Sequence, residues 1–271
     1  MRGFGADLRG AADAVAARGG ALGRPLHLVS RTTSTNDLAK QAARAGAPHG
    51  SAWVAEEQSG GRGRQGRPWL SPPGESLLFS VLLRIESDPR WLPPVSVAAG
   101  LAVTEAVGVH AQNSRPLLKW PNDVLIGDRK VAGVLVEATA TGRGAHAVVV
   151  GIGINVHTRA FPPDLASRAT SVALEASRTP VRAELLADVL ERLDRDLPVV
   201  VGRGLGLLAS RIAACDGLRG EMVRCAEGLE GVAEGIDERG RLVVLSRDGT
   251  LARWSSGEVH LVRRSAPSQR F

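Results

Sequence analysis

The sequence predicts an α+β fold: a mixed central sheet flanked by helices, followed by a small SH3-like β-barrel. Up to residue 216, apolar runs of strand length alternate with longer segments of helical periodicity. After Gly220, short strands separated by turn residues follow one another at regular spacing, which is typical of a small antiparallel barrel. We therefore expect one domain of residues 1–216 and a second of residues 217–271, which is compatible with a chain of 271 residues.

Turn and capping residues predict the elements of the first half. The segment from Thr33 to Asp37 offers several N-caps for a helix, and Pro93 and Pro94 suit the first turn of another. The expected elements are a short helix over 11–17, a strand over 27–29, a helix over 38–45, strands over 51–57 and 76–85 with a polar loop at 58–75 between them, and a helix from 93 to about 112.

The second half begins with hairpins and ends with the predicted barrel. Residues 117–137 are predicted to form a short strand, a Pro-Asn-Asp turn, a second strand, a turn at Gly127 and Asp128, and a third strand. The remaining elements are a strand over 146–156, helices over 180–197 and 203–214, and barrel strands over 221–226, 230–236, 241–245, 251–254 and 259–262.

Composition limits the class of protein. Hydrophobic residues make up 44% of the chain, enough for a core, but no apolar run is expected to reach transmembrane length. The N-terminus lacks the apolar stretch of a signal peptide, and Cys215 and Cys225 are too few for a disulfide framework or a zinc site. We therefore expect a cytoplasmic protein that does not enter a membrane. The net charge of +6 suits anionic ligands or polyanions.

The loop at residues 60–67, Gly-Gly-Arg-Gly-Arg-Gln-Gly-Arg, is the most informative segment. Its glycines allow close backbone approach to a ligand, and its arginines match phosphate or carboxylate oxygens. It is neither a Walker A loop nor a dinucleotide fingerprint, because the required flanking residues and elements are absent. Two interpretations remain open at this point: an anion-binding loop within a folded domain, or a disordered Arg-Gly segment that contacts RNA weakly.

The scarcity of lysine and asparagine draws attention to a second segment. Only three of the 34 basic residues are lysines, namely Lys40, Lys119 and Lys130, and the asparagines are Asn36, Asn113, Asn122 and Asn155. A retained lysine in an arginine-rich chain suggests a site that needs a compact ammonium group. The run from Lys119 to Asp123 combines a cation, an indole, a rigid turn, an amide and a carboxylate, although Asn and Asp are also ordinary turn residues.

Interior glycines mark two predicted strands. Gly133 lies in the strand that follows Lys130, and Gly151 and Gly153 lie in the next strand. A glycine inside a strand often indicates close approach by a ligand or by another backbone. Together these glycines suggest a slot for a flat ligand, whereas a bulge or tight packing would explain any one of them alone.

These segments occur together, in this order, in one family: the chain resembles the biotin protein ligases. The resemblance covers residues 34–155 and extends to the small barrel. It implies the fold of that family's catalytic domain, which is similar to class II aminoacyl-tRNA synthetases. The matching motifs are Ser34-Thr35-Asn36, the run from Gln58 to Arg67, Lys119-Trp120-Pro121-Asn122-Asp123, Lys130 with Ala132-Gly133 and Leu135-Val136-Glu137, and Gly151-Ile152-Gly153-Ile154-Asn155.

The resemblance implies an activity: ATP-dependent formation of biotinyl-5′-AMP, then transfer of biotin to a lysine of a biotin carboxyl carrier protein. It also implies residue roles. The ureido ring of biotin would be bound by Ser34, Thr35 and Gln58, with Asn36 and Gly61 in the same motifs, and the bicyclic ring would lie on Gly133 and Gly153 between the apolar walls Leu135 and Ile154. Arg62, Gly63 and Arg64 would close over the adenylate, and Trp69 would cover the adenine. Asn155 would contact the nucleotide, and Lys130 would lie beside the biotin carboxylate and the α-phosphate.

The chemistry suits such roles, because a carboxylate that attacks an α-phosphate needs cations to offset the repulsion between two anions. Lys119, Lys130, Arg62, Arg64 and Mg²⁺ are the expected sources of positive charge, and a loop disordered without ligand would close to exclude water. Asp123 is expected either to orient or deprotonate the acceptor lysine or, with Asn122, to bind Mg²⁺; the sequence leaves both possibilities open.

Two departures from the family matter. About 25 residues precede the first core strand, too few for the winged helix-turn-helix domain that some members carry. We therefore expect the monofunctional kind, without DNA binding, as a monomer or homodimer. Gln65 replaces an arginine of many members and changes one loop charge.

Three alternatives remain. A lipoate or octanoate ligase of the same fold would need a long apolar tunnel, whereas Gln58 and Ser34-Thr35 favour biotin. A nucleic-acid-binding protein would use the Arg-Gly loop, but aromatic residues make up only 3% of the chain. A noncatalytic carrier-binding module would not need the lysines.

Overall fold

The computed structural model describes residues 4–85, 91–112, 114–142, 145–225 and 228–262. The helices are α1 (Ala11–Ala17), α2 (Thr35–Arg44), α3 (Leu92–His110), α4 (Val172–Glu175), α5 (Arg182–Arg203) and α6 (Ala209–Cys215). The strands are β1 (Leu26–Thr32), β2 (Ala52–Gln58), β3 (Ser76–Leu83), β4 (Pro116–Lys119), β5 (Asp123–Ile126), β6 (Arg129–Gly142), β7 (Ala145–Asn155), β8 (Met222–Cys225), β9 (Glu230–Ile236), β10 (Leu242–Ser246), β11 (Leu251–Trp254) and β12 (Val259–Leu261).

The larger sheet is mixed and has seven strands, in the order β1-β2-β3-β7-β6-β5-β4. β1 pairs with β2 in parallel, and the other neighbours pair antiparallel. The predicted α+β class, with a mixed central sheet and flanking helices, is therefore confirmed.

One face of this sheet packs against the hydrophobic core, and the other is left for a cleft. Because side chains alternate along a strand, Val148, Val150 and Ile152 of β7 point into the main hydrophobic core, which α3 and α5 complete. Gly151 and Gly153 lie on the opposite face, towards α2. The core therefore supports the sheet from one side and leaves the other side for a cleft.

Helix α3 corrects one expectation from composition. Its 19 residues have a mean hydropathy of 1.5 and are long and apolar enough to cross a membrane. Most of the helix is nevertheless buried against α5 and the sheet, which gives its apolar surface a partner inside the fold.

The ends of helices α5 and α6 differ from the prediction. Helix α5 runs to Arg203 and contains Pro198, because the rest of its apolar face is buried beyond the proline. It ends at Gly204, whose φ of 69° leaves the helical region. A turn at Gly206–Leu208 then delays α6 to Ala209. Helix α4 and the turn at Ala6–Leu8 were not predicted.

The second sheet consists of five antiparallel strands in the order β11-β10-β9-β8-β12. Its strands lie within one or two residues of the predicted bounds, although residues 226, 227 and 263–271 of the predicted barrel domain are outside the described residues. It packs against the first sheet: the buried Trp120 Nε1 donates to Gly240 O at 2.8 Å, and Gly217 N donates to Leu118 O. The domain boundary near residue 216 stays a prediction.

A buried charge network connects the N-terminal segment to the sheet. Arg182, at the start of α5, is 1% exposed and forms ion pairs with Asp7 and Glu56. Asp7 also contacts His157 Nε2 at 2.8 Å, and Gly5 N donates to Glu56 Oε1. Glu56 precedes Gln58 on β2 by two residues, so the network supports the strand that ends in the cleft.

Candidate active site

A cleft of about 650 Å³ opens on the sheet face that α3 and α5 leave uncovered. Its walls come from the start of α2, the loop after β2, the ends of β4 to β7, the segment after β7, and the β11–β12 turn of the second sheet. This volume lies within the range of small-molecule sites. Most of the predicted site residues line it: Ser34, Thr35, Asn36, Gln58, Arg62, Gly63, Arg64, Trp69, Lys119, Asn122, Asp123, Lys130, Gly133, Leu135, Gly153 and Asn155.

One end of the cleft carries hydroxyl and amide groups. Gln58 Oε1 accepts a hydrogen bond from the backbone N of Thr35 at 2.7 Å and lies 3.0 Å from Thr35 Oγ1. Within the described residues, Gln58 Nε2 has no partner and is a donor available to a ligand. Ser34 is the N-cap of α2, yet its hydroxyl makes no capping bond. This end of the cleft therefore offers neutral hydrogen-bonding groups.

Asn36 has both ends of its amide occupied by protein groups. Its Nδ2 donates to Glu137 Oε2 at 2.7 Å, and its Oδ1 accepts from Ser80 at 2.6 Å. A Cβ on Gly151 would lie 2.1 Å from Asn36 Oδ1, so the missing side chain makes room for this amide. Gly151 thus accommodates protein rather than a flat ligand.

Gly133 and Gly153 form the floor of the cleft, and the indole of Trp69 lies on them. A Cβ on Gly153 would come within 2.7 Å of the Trp69 ring, and one on Gly133 within 3.2 Å. The Trp69 Nε1–H is buried without a hydrogen-bond partner among the described residues. These two glycines leave a flat space that the Trp69 indole fills in this structure, and its use by a ligand stays a prediction.

Two predicted residues lie elsewhere. The side chain of Ile154 is fully buried in the core on the opposite face, because the pleat of β7 alternates it with Gly153 and Asn155. Its predicted position as an apolar wall is therefore wrong, and Leu78 takes that place beside Leu135. Gly61 lies at the base of the loop, where its O accepts from Trp69 N, and does not line the cleft.

Lys130 is held between an acid and an aromatic ring. Its Nζ lies 2.6 Å from Asp123 Oδ1 and 5.5 Å from the centroid of the Trp69 ring. Its backbone is fixed by bonds to Arg168 O and from Thr170 N. Lys119, across the hairpin, lines the same cleft, and its side chain makes no hydrogen bond or ion pair within the described residues.

Arg64 is a half-buried cation without a carboxylate in contact. Within the part of the chain that the structure describes, its guanidinium reaches only Asn122 Oδ1 at 3.5 Å and Gly257 O at 3.3 Å. Burial lowers the pKa of Arg64, and the charges of Asp123 and Glu258 oppose this effect. A desolvated cation of this kind is suited to bind an anion.

Arg62 has a different environment from Arg64. Its guanidinium makes two hydrogen bonds to Asp37, at 2.7 and 2.6 Å, and one to Glu137 at 3.4 Å. The hydrogen bond from Arg62 lowers the pKa of Asp37 to about 2, with Lys40 adding to the effect. In this arrangement Arg62 anchors the loop to α2, and Arg64 is the arginine directed into the cleft.

The candidate magnesium ligands both face cations. Asn122 Nδ2 donates to Val134 O at 2.8 Å, its Oδ1 accepts from Arg64, and Asp123 pairs with Lys130. No group of three acidic, histidine or cysteine side chains that could hold a metal occurs in the described residues. These contacts disfavour a protein-held Mg²⁺ on Asn122 and Asp123.

The remaining loop residues are ordered by local contacts. Gly63 N donates to Arg67 O, and Arg67 forms an ion pair with Glu258 of the second sheet. Asn155 Nδ2 donates to Thr170 O at 3.0 Å, which ties the floor to the segment after β7. The structure therefore describes the loop as a folded turn; its expected disorder without ligand stays a prediction.

Sequence reasoning missed two walls of the cleft. One is the segment after β7, and the other is the β11–β12 turn; their lining residues are Phe161, Asp164, Leu165, Arg168, Ala169, Gly257, Glu258, Val259 and His260. The β11–β12 turn is distant in sequence from every motif, so no local pattern pointed to it.

Comparisons with known proteins match both parts of the chain. The sequence model of the Biotin/lipoate A/B protein ligase family matches residues 28–155. The model of the Biotin protein ligase C terminal domain matches residues 220–262. Fold and cleft thus define a ligase of the biotin and lipoate class.

Individual relatives show which family within this class the chain belongs to. The Biotin--[acetyl-CoA-carboxylase] ligase of Mycobacterium tuberculosis is 33% identical over 250 residues, covering 88% of this chain and 90% of that protein. The biotin protein ligase of Aquifex aeolicus, solved with biotin and ATP, superposes with a TM-score of 0.75 at 32% identity, covering 88% of this chain and 100% of that one. The chain belongs to the biotin protein ligase family.

A bifunctional relative shares only part of its length with this chain. The Bifunctional ligase/repressor BirA of Salmonella typhimurium is 35% identical over 216 residues, which cover 78% of this chain and 67% of that protein.

Proposed function

We propose that this protein joins biotin to ATP, giving biotinyl-5′-adenylate and pyrophosphate, and then transfers biotin to a lysine of a biotin carboxyl carrier protein. Relatives named as ligases of acetyl-CoA carboxylase support this partner. Free cysteines at 215 and 225 are consistent with action in the reducing cytoplasm.

One observation carries the proposal: a neutral polar end and a cationic end lie in the same cleft, joined by a floor of two glycines. Biotin has the matching distribution, with a polar urea at one end, a flat ring system, and a carboxylate at the other. We assign the urea to Ser34, Thr35 and Gln58, and the carboxylate to the end that contains Lys130.

In the first step, a biotin carboxylate oxygen attacks the α-phosphorus of ATP. An O–P bond forms, and the bond from the α-phosphorus to the pyrophosphate oxygen breaks. Arg64 and Lys119 stabilise the charge on the phosphates, because neither is committed to a carboxylate partner in the described residues. Lys130, held by Asp123, orients the biotin carboxylate. Any Mg²⁺ is proposed to arrive with the ATP phosphates, since Asn122 and Asp123 face cations.

In the second step, the neutral amine of the carrier lysine attacks the acyl carbon. The new amide C–N bond replaces the bond to AMP, and the amine releases a proton. The loop anchored by Arg62 and Arg67 would keep water from the mixed anhydride until the carrier arrives. Asp123 is the nearest carboxylate to Lys130 and is proposed to orient the incoming amine.

The test is ATP- and biotin-dependent labelling of a purified biotin carrier domain. Label should appear with biotin and not with lipoate, whereas labelling with lipoate alone would point to the other branch of the fold. Lys130→Ala should lower adenylate formation by about 100-fold. Unchanged adenylate formation in this variant would contradict the role of Lys130.

A further inference from the structure

Strand β3 contains a polar residue that the motifs do not include. Ser80 is fully buried within the apolar run Ser76–Leu83 and does not line the cleft. Its hydroxyl lies 2.7 Å from Thr35 Oγ1 and 2.6 Å from Asn36 Oδ1. A buried hydroxyl in an apolar strand costs free energy unless it is hydrogen-bonded, and both partners of Ser80 belong to the start of α2.

The surroundings of Ser80 allow only one orientation of the Asn36 amide. Glu137 can only accept from the amide, so Nδ2 faces Glu137 and Oδ1 faces Ser80. Ser80 pairs in register with Gly151, whose missing Cβ makes room for that amide. Donor, acceptor and space therefore come from three neighbouring strands, and together they fix the first turn of α2.

The same hydroxyl acts on the polar end of the cleft through Thr35. The single proton of Ser80 goes to Asn36 Oδ1, which can only accept, so Thr35 Oγ1 donates to Ser80 Oγ. Gln58 Oε1 then accepts from the backbone N of Thr35 at 2.7 Å. With Oε1 occupied by Thr35, the Gln58 amide is oriented with Nε2 available to a ligand. Ser80 therefore holds the Thr35 side chain, and the backbone N–H of the same residue holds Gln58 Oε1.

We infer that Ser80 is a positioning residue that sets the affinity for biotin by orienting Thr35 and Gln58. This inference rests on the proposed function and extends it to a residue that does not contact the ligand. It concerns the urea end alone, because the cations of the other end lie on β4 to β6 and on the loop.

The test compares Ser80→Ala with Ser76→Ala. Ser76 is buried on the same face of β3, and its hydroxyl has no partner among the described residues. Ser80→Ala should raise both the KM and the calorimetric Kd for biotin about tenfold, the effect of one lost hydrogen bond to a buried polar group. The KM for ATP and kcat should stay within about twofold, and Ser76→Ala should match the wild type.

A second variant guards against a folding defect. Ser80→Cys keeps the size of the side chain and a weak donor, so its biotin KM should lie between those of wild type and Ser80→Ala. An unchanged biotin KM in Ser80→Ala would overturn the inference. The proposed function would still hold in that case, provided that the wild type labels the carrier domain with biotin. A lower kcat, higher KM values for both substrates and lower thermal stability in both Ser80 variants would also overturn the inference, since a merely structural role would give that result. Absence of biotin binding by the wild type would overturn the proposed function and this inference together.

Discussion

The three arginines of the loop and the lysines at 119 and 130 differ in what holds their charges. Arg62 is paired with Asp37 on α2 and Arg67 with Glu258 of the second sheet. Lys130 is paired with Asp123, and Arg64 and Lys119 have no ion-pair partner among the described residues. Charge alone made these residues equivalent in the sequence. Their partners separate cations that hold the loop from cations that remain for the phosphates.

Arg64 provides the test of this distinction. Arg64→Ala should reduce kcat/KM for adenylate formation by about 100-fold, because it removes a preorganised, desolvated cation from the phosphate end. Arg64→Lys should recover only part of the rate, since an ammonium lacks the planar fork. Pyrophosphate release measures both.

The control for Arg64 is Arg247→Ala, whose side chain is 79% exposed on the second sheet. Its rate should equal that of the wild type. If Arg64→Ala retained full activity, the phosphates would have to lie elsewhere in the cleft.

At the scale of elements, alanine substitutions at two helical glycines are expected to change the free energy of unfolding in opposite directions. Gly202, in α5, has open space where a Cβ would be, whereas a Cβ on Gly100, in α3, would lie 2.5 Å from the buried Leu118 Cδ1. Gly202→Ala should raise the free energy of unfolding by about 0.5 kcal/mol through helix propensity. Gly100→Ala should lower it by about 2 kcal/mol through overpacking.

Urea unfolding of both variants checks this pair, with the m-value as the test that the denatured state has not changed. A gain in stability from Gly100→Ala would mean that Leu118 adopts another rotamer at little cost.

Local patterns predicted most elements of this fold. The hairpins around Gly127 and the five short strands of the second sheet appeared close to their predicted bounds, because turn residues and alternating apolar residues specify them locally. Strand order was not predicted from such patterns. The cleft residues carried by motifs were found, but Ile154 was placed on the wrong face because strand phase requires knowing which side the core occupies. The walls from the second sheet depend on packing between distant segments, which no local pattern encodes.

At the scale of the whole molecule, the network around Arg182 joins the N-terminal segment, β2 and α5. Burial alone would raise the pKa of Asp7, but hydrogen bonds from Arg182 and His157 lower it well below its usual value. A carboxyl with a lower pKa in the folded state stabilises the fold above its unfolded pKa of about 4. This contribution is lost as the pH falls through the folded-state pKa.

Asp7→Asn should therefore lower the free energy of unfolding at neutral pH by about 2 kcal/mol. The difference from wild type should shrink as the pH is lowered below about 4. Asp13→Asn, at an exposed position on α1, is the control and should leave the pH profile unchanged. A difference that stayed constant with pH would assign the effect to packing rather than to charge.

The second sheet is attached to the loop by Glu258, which pairs with Arg67 beside the bond from Arg64 to Gly257 O. Glu258→Gln should loosen the loop and raise the carrier-independent release of pyrophosphate about threefold, since a partly exposed ion pair contributes at most about 1 kcal/mol. Glu230→Gln, which breaks ion pairs with Arg224 and Arg247 on the same sheet, should not change it. Equal release by both variants would exclude a role of the second sheet in closing the loop.

The indole on the two floor glycines has an optical consequence. The chain has five tryptophans and no tyrosine, so its near-ultraviolet emission comes from indoles alone. Trp53 and Trp120 are buried away from solvent, whereas Trp69 lies where an incoming ring system must displace it or stack against it. The protein therefore contains its own fluorescent reporter of floor occupancy, and a Trp69→Phe variant would identify which part of the emission carries that signal.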